Sequence, residues 1–165
     1  PVAEEIVSAL GGRMAACRPE DRALYHAALC VASNYLVAVV DLARKLLVES
    51  GMDASEAADA VLPLIEGTVA NLRAAGSPAA LTGPIARGDA PTIERHLRAL
   101  ADLPETMGAL YRELGLYTIG VAQRKGTLAA DAARELADLL TQRQTRKDGH
   151  IREDSRPRDG RRPTT

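Results

Sequence analysis

The chain has 165 residues, 46% of them hydrophobic but only 2% aromatic, and a formal net charge of −1. That length suits one domain with a real core, and a charge near zero gives no global field for nucleic acid or a membrane surface. With no Trp, no Phe and four Tyr, the core must be Leu, Val, Ile and Ala. Ala and Leu are strong helix formers, so the expected fold is all-α.

Val2 to Leu10 reads as a short amphipathic helix stopped by Gly11 and Gly12. Arg13 to Arg18 reads as a brief strand or an extended link. A helix, a Gly pair and an extended segment resemble the end of an α/β unit; a frayed N-terminal arm is the plain alternative. The start, PVAEEIVSALGG, has no initiator Met and no basic n-region of a signal peptide. It therefore reads as a fragment or a processed product.

Pro19 to Gly51 is long, mostly apolar and free of internal Gly or Pro. It reads as one helix of about eight turns, the central helix of a bundle that the later, shorter helices cover. Pro19, Glu20 and Asp21 suit its first turn, and Arg44 and Lys45 fall near its end. His26, Cys30, Ser33 and Asn34 recur at a spacing that puts them on one face. No run reaches 18 apolar residues, which argues against a membrane span. Cys17 and Cys30 do not make a disulfide framework, and the expectation is a reduced, cytoplasmic protein.

Asp53 reads as an N-cap with Glu56 completing a capping-box-like pair. The second helix runs to about Ala75, kinked at Pro63, and stops at Gly76. SPAALTGPIARGDA, residues 77–90, is a loop punctuated by Gly83, Pro84 and Gly88, with Thr82, Arg87 and Asp89 as its polar functions. Asp89 also suits the cap of the next helix, Thr92 to about Leu103, which reads as mostly solvated. Glu105 to Lys125 follows, ended by Gly126. Thr127 then caps a last helix to about Gln142, with Leu128, Leu136, Leu139 and Leu140 as its apolar side. From Arg143 the tail carries eight basic against four acidic residues. Ile151 is its one large apolar residue, so it is expected to be disordered. It lacks the interleaved aromatics of a nucleic-acid site.

Few constellations carry chemistry. His26 and Cys30 are one turn apart, but two ligands do not make a zinc site, so no metal is expected. As a nucleophile pair they are spaced well, yet a cysteine deep in a helix is more often inert core. His26 suits a general acid or a substrate hydrogen-bond donor; the plain reading is a core-edge His bonded to a backbone carbonyl. Asn34, a mediocre helix former, either holds a neighbouring loop or binds a polar ligand. Arg87 can clamp a carboxylate in bidentate fashion, or it pairs with Asp89 across a tight turn.

RALYHAALCVASNYLVAVVDLA, PLIEGTVANL and ALTGPIARGD, standing in that order, resemble the C-terminal helical domain of a bacterial oxidoreductase family. There, a Rossmann-like NAD(P)-binding domain precedes a helical domain of unknown function. The family is similar in plan to pyrroline-5-carboxylate reductase, ketopantoate reductase and the 6-phosphogluconate dehydrogenase-like hydroxyacid dehydrogenases. The resemblance implies a division into residues 1–18, the end of a truncated Rossmann-like domain, 19–142, a helical substrate-binding and dimerisation domain, and the tail 143–165. It implies NADP or NAD bound mainly by the missing N-terminal domain, a small 2-oxo acid such as ketopantoate as substrate, and a homodimer.

In ketopantoate reductase and the hydroxyacid dehydrogenases a Lys-x-x-x-Asn pair faces the substrate. Asn34 matches the Asn, and Cys30 stands in the Lys place, which leaves His26 as the replacement donor. The implied roles are His26 and Asn34 as catalytic residues, with Ser33, Thr82, Arg87 and Asp89 binding substrate. The chain itself has no G-x-G-x-x-G. A reading of another class is a free-standing helical dimerisation or interaction module without catalytic activity.

Overall fold

A computed structural model of the chain describes residues 2–14 and 17–142. The tail expected to be disordered, and Ala15 and Ala16 of the expected strand, lie outside the described residues. The helices are α1 Val2–Ala9, α2 Arg22–Ala32, α3 Asn34–Glu49, α4 Ala54–Ala75, α5 Pro84–Arg87, α6 Ala90–Leu100, α7 Glu105–Lys125 and α8 Ala130–Thr141. A 3₁₀ turn, Pro19–Asp21, leads into α2. The all-α expectation holds. The brief strand does not form among the described residues, where Arg13, Met14, Cys17 and Arg18 have no regular structure. By its contacts the chain divides into two compact units, Pro1–Gly76 and Ser77–Thr165.

In the first unit, local chemistry sets the helix ends. Gly11 takes φ +70°, and the Gly12 N–H reaches back to the Val7 carbonyl at 2.9 Å. Gly51 repeats this at φ +100°, with Met52 N–H to Leu47 O at 3.1 Å. Both are six-to-one closures that satisfy carbonyls orphaned at a helix end. The Asp53 carboxylate caps α4, accepting from Ser55 N at 2.8 Å and Ser55 Oγ at 2.6 Å. These bonds stabilise the ionised form and lower the Asp53 pKa. α4 runs through Pro63 without ending there.

The expected single long helix is interrupted at Ser33, whose φ and ψ are −118° and −69°. Ser33 N–H still bonds Leu29 O at 3.0 Å, and Ser33 O accepts from Val37 N–H at 3.3 Å. The interruption is therefore one residue wide. α3 continues from α2 and packs on α4.

Residues expected to be covered are not. No residue from Pro19 to Glu49 is buried, and Leu24 is 73% and Val37 69% exposed. The unit's buried residues are Ala57 and Val61 on α4. By length and composition Pro19–Glu49 is also apolar enough to cross a membrane, with a mean hydropathy of 1.6 over 18 residues. The expectation against a span rested on unbroken apolar runs, which a window average does not require.

The second unit holds the main core. Ile93 of α6 and Leu136 and Leu140 of α8 are fully buried, joined by Ile85 of α5 and Ile119 of α7. α8 packs on α6 and α7, and α5 on the same pair. α6, expected to be mostly solvated, buries Ala90, Ile93, Leu97 and Leu100. Its charged residues occupy the opposite side of a strongly amphipathic helix. α7 has the expected bounds and is closed by Gly126 at φ +79°. Gly115 lets α8 approach α7, since a Cβ there would stand 2.9 Å from Leu140 Cδ2. The last helix starts later than expected. Ala129 occupies its N-cap without a side-chain bond, so Thr127 is not the cap.

Candidate functional site

The first unit carries the polar row that the sequence spacing proposed. His26 and Cys30 are on α2, and Asn34 is the first residue of α3. Asn34 Nδ2 donates to Cys30 Sγ at 3.8 Å, and Cys30 Sγ lies 3.7 Å from His26 Nε2. The three side chains form one ladder, each a helical turn from the next. Ser33 is exposed at the interruption and makes no hydrogen bond through its side chain to the described residues. Cys30 is half-buried rather than deep, His26 and Asn34 are exposed, and both cysteines are free thiols. Tyr25, Leu29, Val31, Tyr35 and Val37, all exposed, surround the row in sequence. The ladder can hold an imidazole in one orientation and offer an amide and a ring N–H to a ligand oxygen.

The TGPIARGD segment belongs to the second unit and is more structured than a loop. Gly83 at φ +99° turns the chain into α5, and Gly88 at φ +68° turns it out. Gly88 also sits close against α8, where a Cβ would meet Ala132 Cβ at 3.2 Å. Lys125 Nζ donates to Leu81 O at 2.5 Å and ties the segment to the end of α7.

Asp89 caps α6. Its Oδ1 accepts from Thr92 N at 3.1 Å and its Oδ2 from Thr92 Oγ1 at 2.7 Å. Those two bonds hold its carboxyl below the usual aspartate range, helped by the charges of Arg95 and Arg87. Arg87 is exposed and makes no ion pair among the described residues, so the Arg87–Asp89 pair of the plain reading does not form. Thr82 is exposed.

Two features of this unit were not legible in the sequence. His96 Nδ1 and Tyr111 Oη are hydrogen-bonded at 2.8 Å, with the rings edge to face. Burial raises the Tyr111 pKa. A cleft of about 240 Å³ is lined by Glu94, Leu97, Arg98, Leu139 and Gln142, with Arg98 paired to Glu94 at 3.5 Å. None of the sequence-proposed site residues lines it. Among the described residues no group of three or more His, Cys, Asp or Glu is placed to hold a metal ion.

Residues 1–118 match the family described as a domain of unknown function, DUF2520. The chain belongs to that family. No curated protein and no solved structure matches it.

Proposed function

We propose that this chain is the substrate-binding and dimerisation part of an NAD(P)H-dependent oxidoreductase acting on a small 2-oxo acid such as ketopantoate. The observation that supports this reading is the His26–Cys30–Asn34 ladder on an apolar, uncovered helical segment. Polar groups destined for burial need partners. Here His26 and Asn34 keep hydrogen-bonding capacity to spare, which suits a ligand oxygen. Asn34 orients the substrate carbonyl and His26 donates to its oxygen. Ser33, exposed beside this ladder in the first unit, offers a hydroxyl to polar ligand groups. In the second unit, taken by itself, Arg87 is an exposed cation that makes no ion pair among the described residues and Thr82 an exposed hydroxyl, groups suited to a carboxylate. Asp89 serves first as the cap that fixes the Arg87 segment.

The described residues include no strand, and so no Gly-rich strand-to-helix turn to cradle a pyrophosphate. A dinucleotide does not fit the described residues by themselves. In this reading NADP or NAD is held by a separate Rossmann-like domain. The exposed side chains of α2, α3 and α4, among them Leu24, Tyr35, Val37, Leu62 and Leu64, form the contact between two copies. Protein suits this face better than lipid, because His26, Ser33 and Asn34 would be costly in a bilayer. The proposed location is cytoplasmic.

The test is turnover of ketopantoate and related 2-oxo acids by the full gene product with NADPH and with NADH. The uncovered apolar surface also favours a second reading, a helical dimerisation or interaction module. A stable dimer that binds no nicotinamide and turns over no 2-oxo acid would select it.

A further inference from the structure

His26, Cys30 and Asn34 are joined through one sulfur, and the sulfur's capacity decides how. The Asn34 amide nitrogen can only donate, so at 3.8 Å the Cys30 sulfur is its acceptor. A thiol has a single hydrogen of its own. The acceptor given to it is His26 Nε2 at 3.7 Å. In that arrangement Cys30 accepts from Asn34 and donates to His26, and such chains polarise cooperatively. The opposite arrangement loads the sulfur, a weak acceptor, with two donors and leaves the S–H without a protein partner.

We infer that Cys30 is a positioning residue that fixes neutral His26 in the tautomer with its hydrogen on Nδ1 and its lone pair on Nε2. His26 Nδ1 makes no hydrogen bond to the described residues, and the side chain is exposed. The atom presented to a ligand is therefore an N–H donor aimed at an acceptor oxygen, such as a carbonyl or a carboxylate. On the functional reading above, on which this consequence rests, neutral His26 polarises and orients the substrate oxygen. Cys30 standing in the lysine place then has a task of its own, the choice of tautomer.

The test is a two-bond ¹H–¹⁵N correlation spectrum of the imidazoles at about pH 8.5, well above the ordinary histidine pKa of about 6.5. His96→Gln and His150→Gln assign the His26 signals. In the unaltered chain His26 Nε2 should resonate as an unprotonated, pyridine-type nitrogen and Nδ1 as the protonated one. An unrestrained neutral imidazole in water prefers its hydrogen on Nε2. Cys30→Ala should move Nε2 toward the protonated position, and Cys30→Ser, which keeps a donor, should move it back. A His26 that already carries its hydrogen on Nε2, or nitrogen shifts indifferent to Cys30→Ala, would overturn the inference. The spectrum contains no nicotinamide and no substrate. An inactive full gene product would sink the functional reading while leaving the tautomer in place, and the wrong tautomer would do the reverse.

Discussion

Gly115 and Gly120 lie on the same helix, and the same substitution should stabilise at Gly120 but not at Gly115. Gly→Ala in a helix interior gains about 1 kcal/mol, through helix propensity and a less flexible unfolded chain. At Gly120 nothing opposes this gain, because a Cβ there has its nearest neighbour, Arg124 Nη1, at 3.6 Å, an ordinary contact. At Gly115 the added carbon would stand 2.9 Å from Leu140 Cδ2 and 3.0 Å from Leu140 Cδ1. Leu140 is 1% exposed and packed in the core, so it has no open space to rotate into. Overpacking a filled site costs about 1–3 kcal/mol, which cancels or exceeds the gain. The two variants should therefore differ by about 1–3 kcal/mol. In a small unit each kcal/mol is worth about 4–8 °C of melting temperature. Differential scanning calorimetry of the two variants and the parent reads this directly. Gly115→Ala raising the Tm as much as Gly120→Ala would refute the claim that α7 and α8 touch at that point.

Val37→Glu places a charge on the exposed face of α3. An unpaired buried charge costs about 3–5 kcal/mol, so the proposed dimer should weaken by two decades or more in Kd, seen by sedimentation equilibrium. Unaltered association would move the interface elsewhere. The folded-state pKa of Asp89 is depressed, so its capping contribution is complete above the ordinary aspartate value of about 3.9. It is lost as pH falls from there through the lower folded-state value. Asp89→Asn, which still caps but does not titrate, should flatten part of the acid decline in Tm, and an identical acid limb would argue against the cap. On the proposed reductase reading, His26→Ala in the full gene product should lower kcat by about a hundredfold with little change in KM, the loss of one donor to a developing oxyanion. An unchanged kcat would remove His26 from the mechanism.

What the sequence determined by itself is what the backbone settles within about five residues. Gly11, Gly51, Gly76 and Gly126 end helices where they were expected to, because each supplies a positive φ beside orphaned carbonyls. Asp53 and Asp89 cap where their carboxylates reach N–H groups two or three residues on. The ladder from His26 to Asn34 was legible for the same reason, being three side chains one turn apart. Burial was not legible. The most apolar stretch, Pro19–Glu49, buries nothing, whereas α6, with four charged or His residues interspersed among apolar ones, buries four positions. Hydropathy says which residues would gain from leaving water, but only packing says which of them find a partner. The bond from Lys125 to Leu81, the pair of His96 and Tyr111, and the fit of Gly115 against Leu140 join residues 44, 15 and 25 positions apart. At such separations neighbouring residues carry no information, so the tertiary structure alone decided which helix faces meet.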